Sequence, residues 1–152
     1  MENISHKLTE FLKAHVPATQ YMGIDVGNYD GKSLTLTAPL HPNINDKQTA
    51  FGGSLYTICV MNCWGMVYLK TLEKGITCNQ VVTQSNISYY APVDGEITSV
   101  CECPTEETLA SFFEHYEEKG RSKITLNAEV QCNGKTAVKF ESTYAIIKTD
   151  NP

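Results

Sequence analysis

No Cys-x-x-Cys pair, no cluster of lysine or arginine and no histidines at zinc-ligand spacing occur in this sequence of 152 residues. Each absence excludes a class of function. With a formal charge of −5 and a pI near 5.3, the chain has no electrostatic footprint for DNA, RNA or an anionic bilayer, and no nucleic-acid partner is expected. His6, His15, His41 and His115 are scattered; they read as solvated surface, with no metal site and no cofactor called for. The first residues lack a basic-then-apolar leader, so the six cysteines point to a reduced, cytoplasmic setting. Cys59 and Cys63 lie four apart on an apparent helix and Cys101 and Cys103 alternate in a strand, positions where cysteine serves as a small buried hydrophobe.

Charge is also missing between Gln48 and Leu69, a run long enough to span a bilayer if it were apolar throughout. Gly52, Gly53, Ser54, Thr57, Asn62 and Gly65 interrupt it, and amphipathic strands surround it. The run therefore reads as a central helix buried in a soluble core, without membrane insertion.

What is present is a hydrophobic content of 41% with 19% charged residues, which suits a single domain over residues 1–152. Ile4, Leu8, Phe11 and Leu12, following the polar Asn3 and Ser5, predict a short rim helix over 4–14, ended before Pro17. Residues 22–29 and 33–38 flank the turn pair Asp30-Gly31 and predict a hairpin. A polar loop over 39–52 precedes a helix from Gly53 to Leu72, closed near Gly75. Its faces are nearly all apolar, so it must be surrounded. Alternating segments at 80–90, 96–103, 122–132 and 136–147 predict four more strands, with a frayed tail after 147. Between the second and third, Thr105 is placed to cap a helix with Leu109, Phe112, Phe113 and Tyr116 as its buried stripe and Gly120 as its stop. The fold class is α+β, one long helix wrapped by an antiparallel sheet.

This order of elements resembles the hot-dog superfamily, in which a curved antiparallel sheet wraps a long central helix. The run Asn45-Asp46-Lys47-Gln48-Thr49-Ala50-Phe51-Gly52-Gly53 resembles the loop and helix start of acyl-thioester hydrolases related to phenylacetyl-coenzyme A thioesterase, which carry Asn, five residues, then His-Gly-Gly. Asn86-Ile87-Ser88-Tyr89-Tyr90-Ala91-Pro92-Val93 resembles the strand that follows. Over residues 16–147 the chain is most similar to the thioesterase-like domain found at the carboxyl end of a bacterial acetyltransferase-like protein and also as a free domain.

Apart from any family, unbonded amides at a helix start, backed by the helix dipole, suit a carbonyl oxygen that gains negative charge. Gly52 and Gly53 are the candidates, the alternative being that two glycines merely let the helix pack tightly against the sheet. An Asn in such a loop is more often a turn or cap residue than a substrate contact; the resemblance implies a catalytic role for Asn45. Thr49 is a supporting candidate, and Phe51 stands beside the glycines at the substrate site, where the hydrolases have His. Their acid, nine positions further on, is Val60 here, and their strand Ser is Val82.

No carboxylate occurs between Gly53 and Leu72, so the usual general base for water is missing. Asn62 and Cys63 are poor replacements, since no His lies in the helix to activate a thiol. Decarboxylation of a malonyl thioester needs a stabilised enolate but no activated water, and the resemblance extends to malonyl-acyl-carrier-protein decarboxylases that supply acetyl-carrier protein for fatty-acid synthesis. The expected substrate is thus a thioester of acyl carrier protein or coenzyme A. Alternatives are a thioesterase, helped by Asn79 or Ser85 of a neighbouring subunit, and a non-catalytic acyl-thioester binding module. The resemblance also implies a homodimer or higher homo-oligomer joined through sheet edges.

Overall fold

Period-two alternation and one apolar helix dictate a sheet folded over a rod, and the computed structural model, which describes residues 4–150, has that architecture. The helices are α1 (Ser5–His15), α2 (Pro17–Tyr21), α3 (Gly52–Glu73) and α4 (Glu106–Lys119); the strands are β1 (Asp25–Tyr29), β2 (Ser33–Ala38), β3 (Cys78–Tyr89), β4 (Ile97–Glu102), β5 (Arg121–Cys132) and β6 (Lys135–Lys148). The six strands form one antiparallel sheet in the order β1-β2-β4-β5-β6-β3. It curves around α3, the hot-dog arrangement.

Ile124, Leu126, Ala128 and Val130 of β5 point into the core, while Lys123, Thr125 and Asn127 point out. Burying each large aliphatic side chain of this kind contributes about 1.5–3 kcal/mol. On α3, Leu55, Ile58, Cys59, Cys63, Met66 and Leu69 are buried beneath the sheet. Two edges frame the sheet. The β1 edge lies at one end; at the other, β3 is largely exposed, Val81 and Val82 by nearly half.

Several boundaries differ from expectation for physical reasons. The N-terminal helix is not a rim piece, since Leu8 and Leu12 are fully buried. A Cβ at Gly65 would lie 2.9 Å from Leu8 Cδ2 and 3.1 Å from Leu34 Cδ2, so the missing side chain lets α1 and β2 close on α3. Phe11 stacks on Trp64 and meets Tyr68 at a tilt, with centroids 5.1 and 5.0 Å away. The first helix does end before Pro17, at His15, and Pro17 then opens the short α2, where its missing N–H costs nothing. The first strand begins only at Asp25, because Met22-Gly23 turns the chain with Gly23 at φ +73°. The loop over 39–52 contains a 3-10 turn at His41–Asn43. Nor is α3 wholly surrounded: Val60, Met61 and Trp64 stay half-buried and Tyr56 is exposed.

The cap of α4 is as expected, with Thr105 Oγ1 accepting from the Thr108 N–H at 3.2 Å and Gly120 left-handed at φ +74°. The chain does not fray at 147, since the Lys148 N–H donates to the Gly120 carbonyl at 2.8 Å. Asn3, the expected helix lead-in, and residues 151–152 lie outside the described residues. No helix among the described residues is long and apolar enough to cross a membrane.

Candidate active site

The loop before α3 is held at its base by a buried amide. Asn43 Nδ2 donates to the carbonyls of Met22 (2.9 Å) and Pro39 (2.8 Å), and the Asn43 carbonyl accepts the Phe51 N–H at 2.7 Å. Next door, the Ala50 N–H donates to the Val93 carbonyl at 2.8 Å. Both sides of the helix entry are therefore tied to neighbouring segments, and α3 starts in a fixed direction.

Asn45 closes the loop on itself. Its Oδ1 accepts from the Lys47 N–H (2.8 Å) and the Thr49 N–H (3.1 Å), and its Nδ2 donates to Thr49 Oγ1 (3.0 Å) and, at a longer 3.4 Å, to the Ala50 carbonyl. The backbone repeats the closure, with Asn45 N–H donating to the Thr49 carbonyl at 2.8 Å. Gln48 takes φ +64° to complete the turn. Asn45 and Thr49 are thus brought together, with the side chain of each engaged by the other. The spacing Asn-x-x-x-Thr is the local signal for this turn.

The helix start itself is open. Phe51, the cap residue, has no side-chain acceptor, and among the described residues neither Gly52 N–H nor Gly53 N–H has a partner; the first bonded amide is that of Ser54, to the Phe51 carbonyl at 2.9 Å. Two unpaired N–H groups at the positive end of a 22-residue helix form a donor pair for a partially anionic oxygen. The glycines differ in surroundings. A Cβ at Gly53 would stand 2.5 Å from Phe51 Cε2, so the ring occupies that space; at Gly52 it would meet the Tyr89 ring at an ordinary 3.5 Å. Phe51 and Tyr89, which flank the two glycines, are at least half exposed, as is Tyr90, the next residue along the chain. Tyr89, which strand patterning did not single out, donates its hydroxyl to the Gly52 carbonyl at 2.8 Å. No spacing signal links residues 37 apart.

Val82 pairs with Tyr144 on β6, and the Tyr144 hydroxyl donates to the Val60 carbonyl at 2.8 Å, so one tyrosine joins the neighbourhoods of Val60 and Val82. Neither position offers a base. Cys63 is fully buried, and desolvation, with smaller effects from Cys101, raises its thiol well above the ordinary range. A protonated thiol there is no nucleophile. Asn62 is also fully buried and donates to Ser99 Oγ at 2.9 Å. Ser85 is tied to Ser142 across the sheet at 2.8 Å, while Asn79 is exposed on the β3 edge. Among the described residues, no group of three His, Cys, Asp or Glu side chains is placed to hold a metal. A cavity of about 1120 Å³ lies elsewhere, between α4 and β5-β6-β3, and none of its lining residues belongs to the loop or the start of α3.

Comparison with known proteins gives the family and the fold. The family model described as “Putative thioesterase (yiiD_Cterm)” matches residues 5–148. A crystal structure of a protein of unknown function from Chlorobaculum tepidum TLS is 53% identical, with a TM-score of 0.95 over 96% of this chain and 95% of that one. The putative thioesterase from Shewanella oneidensis is 27% identical, with a TM-score of 0.83 over 97% and 99%. The PaaI protein of the E. coli phenylacetic acid degradation operon, 16% identical with a TM-score of 0.64 over 95% and 96%, shares the fold.

Proposed function

Because the chain belongs to the “Putative thioesterase (yiiD_Cterm)” family, we propose that it is an acyl-thioester enzyme whose substrate carbonyl is held by the Gly52 and Gly53 amides and whose reaction is decarboxylation of a malonyl thioester. The observation that carries this reading is the combination of two amides at the start of α3 with no protein acceptor among the described residues and valines at 60 and 82. The donors favour negative charge on a carbonyl oxygen, and the valines leave water without a base.

In the reaction, the bond between the malonyl α-carbon and its carboxylate breaks. Its electron pair passes into the thioester, giving an enolate whose oxygen sits on the two amides, and carbon dioxide leaves. The α-carbon then takes a proton from water, giving the acetyl thioester. Asn45 joins by exchanging its long Nδ2 bond to the Ala50 carbonyl, its weakest contact at 3.4 Å, for one to the malonyl carboxylate. Thr49 holds the Asn45 amide in orientation, and the Phe51 ring packs beside Gly53 at the helix start. Acyl carrier protein and coenzyme A are the two carriers the substrate can arrive on, and fatty-acid synthesis is the process its acetyl product would serve.

The half-exposed Val81 and Val82 of the β3 edge and the half-buried Val60, Met61 and Trp64 of α3 support a homodimer in which a second copy covers this side. Together with the absence of a membrane-crossing helix among the described residues, this fits a cytoplasmic enzyme of one domain. Incubation with malonyl-carrier protein and malonyl-coenzyme A tests the proposal. Carbon dioxide and acetyl-carrier in equal amounts support it. Free carrier thiol as the sole product favours the second reading, thioester hydrolysis, which the family's description favours. Tight binding with no turnover of any thioester favours a non-catalytic binding module.

A further inference from the structure

We infer that Tyr89 is a positioning residue for this site: its hydroxyl polarises the peptide that joins Gly52 to Gly53 and so strengthens the Gly53 N–H as a donor to the substrate carbonyl. The inference rests on the reading of the helix start as the thioester site. The Gly52 carbonyl that accepts the Tyr89 hydroxyl at 2.8 Å and the Gly53 N–H are two ends of one peptide group. A hydrogen bond drawn to the oxygen of an amide withdraws electron density from its nitrogen, and the N–H becomes more acidic. By helix geometry the Gly52 carbonyl also accepts from the amide four residues on, so this peptide carries a double pull on its oxygen. Its N–H meanwhile has no partner among the described residues.

The placement is specific to that peptide. Tyr89 is the last residue of β3, held by its register with Val138 of β6, and the Tyr90 N–H beyond it donates to the Ala137 carbonyl at 2.7 Å. The phenol is therefore aimed from a pinned strand end. Its ring lies in van der Waals contact with the space over Gly52, 3.5 Å from where a Cβ would stand, and a larger residue at 52 would crowd it. The Phe51 ring fills the space where a Gly53 side chain would stand. The phenol stays protonated through the range in which enzymes are assayed, because partial burial, then the nearby Cys59 and Tyr56, raise its pKa above the ordinary tyrosine value. It remains a donor.

The size of the effect follows from two rates. Removing an oxyanion donor costs roughly 10²- to 10³-fold in kcat, and one added bond in a chain strengthens its neighbour by about 10–30%. Tyr89→Phe, which keeps the ring and drops the hydroxyl, is then expected to lower kcat by roughly two- to eightfold with KM unchanged. A structural prop would not respond to phenol acidity, so the second arm replaces Tyr89 with fluorinated tyrosines of graded acidity. While they remain protonated, kcat should rise as the phenol becomes more acidic. The third arm needs no turnover: the Gly53 amide proton should move upfield in Tyr89→Phe, as expected for a less polarised peptide. An unchanged kcat in Tyr89→Phe, or a flat fluorotyrosine series, overturns the inference even if the wild-type protein is active. A wild-type protein inactive on every thioester refutes the functional reading instead, and an unmoved Gly53 amide proton then overturns the polarisation itself.

Discussion

Substitutions at Asn45 separate holding the loop from touching the substrate. In Asn45→Ala the Thr49 N–H loses its acceptor at 3.1 Å and Thr49 Oγ1 loses its donor at 3.0 Å, both part-buried, whereas the exposed Lys47 N–H turns to water at little cost. At about 1 kcal/mol per intramolecular bond the loss is about 1–2 kcal/mol, which in a domain of this size lowers Tm by roughly 2–8 °C. Asn45→Asp keeps an oxygen for both backbone amides and lets Thr49 Oγ1 donate in place of accepting. It also adds negative charge near the start of α3, which the helix dipole favours. Its stability should stay within about 1 kcal/mol of wild type. Turnover of a malonyl thioester should nevertheless fall in both variants by roughly ten- to a hundredfold, the worth of a hydrogen bond to a charged group, because Asp offers the malonyl carboxylate repulsion instead of a donor. Calorimetric melting alongside carbon dioxide release measures the two effects. Wild-type turnover in Asn45→Asp would refute the substrate contact, and an unshifted Tm in Asn45→Ala would refute the loop-holding account.

Val60→Asp restores an acid at the position the related hydrolases use, and product analysis should show free carrier thiol gaining on acetyl-carrier. Gly65→Ala drives a methyl to 2.9 Å from Leu8 Cδ2; overpacking of this kind costs about 1–3 kcal/mol, and Leu8→Ala in the same chain should recover part of it in urea melts. Burial, opposed in small part by the Ser99 hydrogen bond, pushes the Cys59 thiol up to about 12 from 9.0. Between those values the unfolded chain has released a proton that the folded chain keeps, so stability present below pH 9 is lost as pH rises toward 12, by about 1.4 kcal/mol per pH unit. Denaturant melts across that range should show a shallower decline in Cys59→Ala.

The elements were largely legible in the sequence because their signals are local. Alternation along 122–132, the Thr105 cap and the Gly120 stop each act within a few residues, and the structure has all three. What was not legible depends on distant partners. The rim helix expected over 4–14 is part of the core because Gly65 admits Leu8, a contact 57 positions apart that no periodicity reports. The β3 segment alternates like a core strand, yet it lies at a sheet edge, which only the strand order reveals. Of the candidate site residues, Asn45, Thr49, Phe51, Gly52 and Gly53 lie within nine residues of one loop and helix start. Asn45 closes on Thr49 four residues along, a local contact, whereas Tyr89 reaches Gly52 only through the pairing of β3 with β6.

The central claim is that the Gly52 and Gly53 amides hold the thioester carbonyl, and a crystal structure with a malonyl-thioester analogue that cannot lose carbon dioxide tests it most directly. The account predicts the carbonyl oxygen, or its isostere, within about 2.7–3.1 Å of both amides with the carboxylate beside Asn45. An analogue bound with its carbonyl away from the start of α3, for instance in the cavity between α4 and β5-β6-β3, would contradict it.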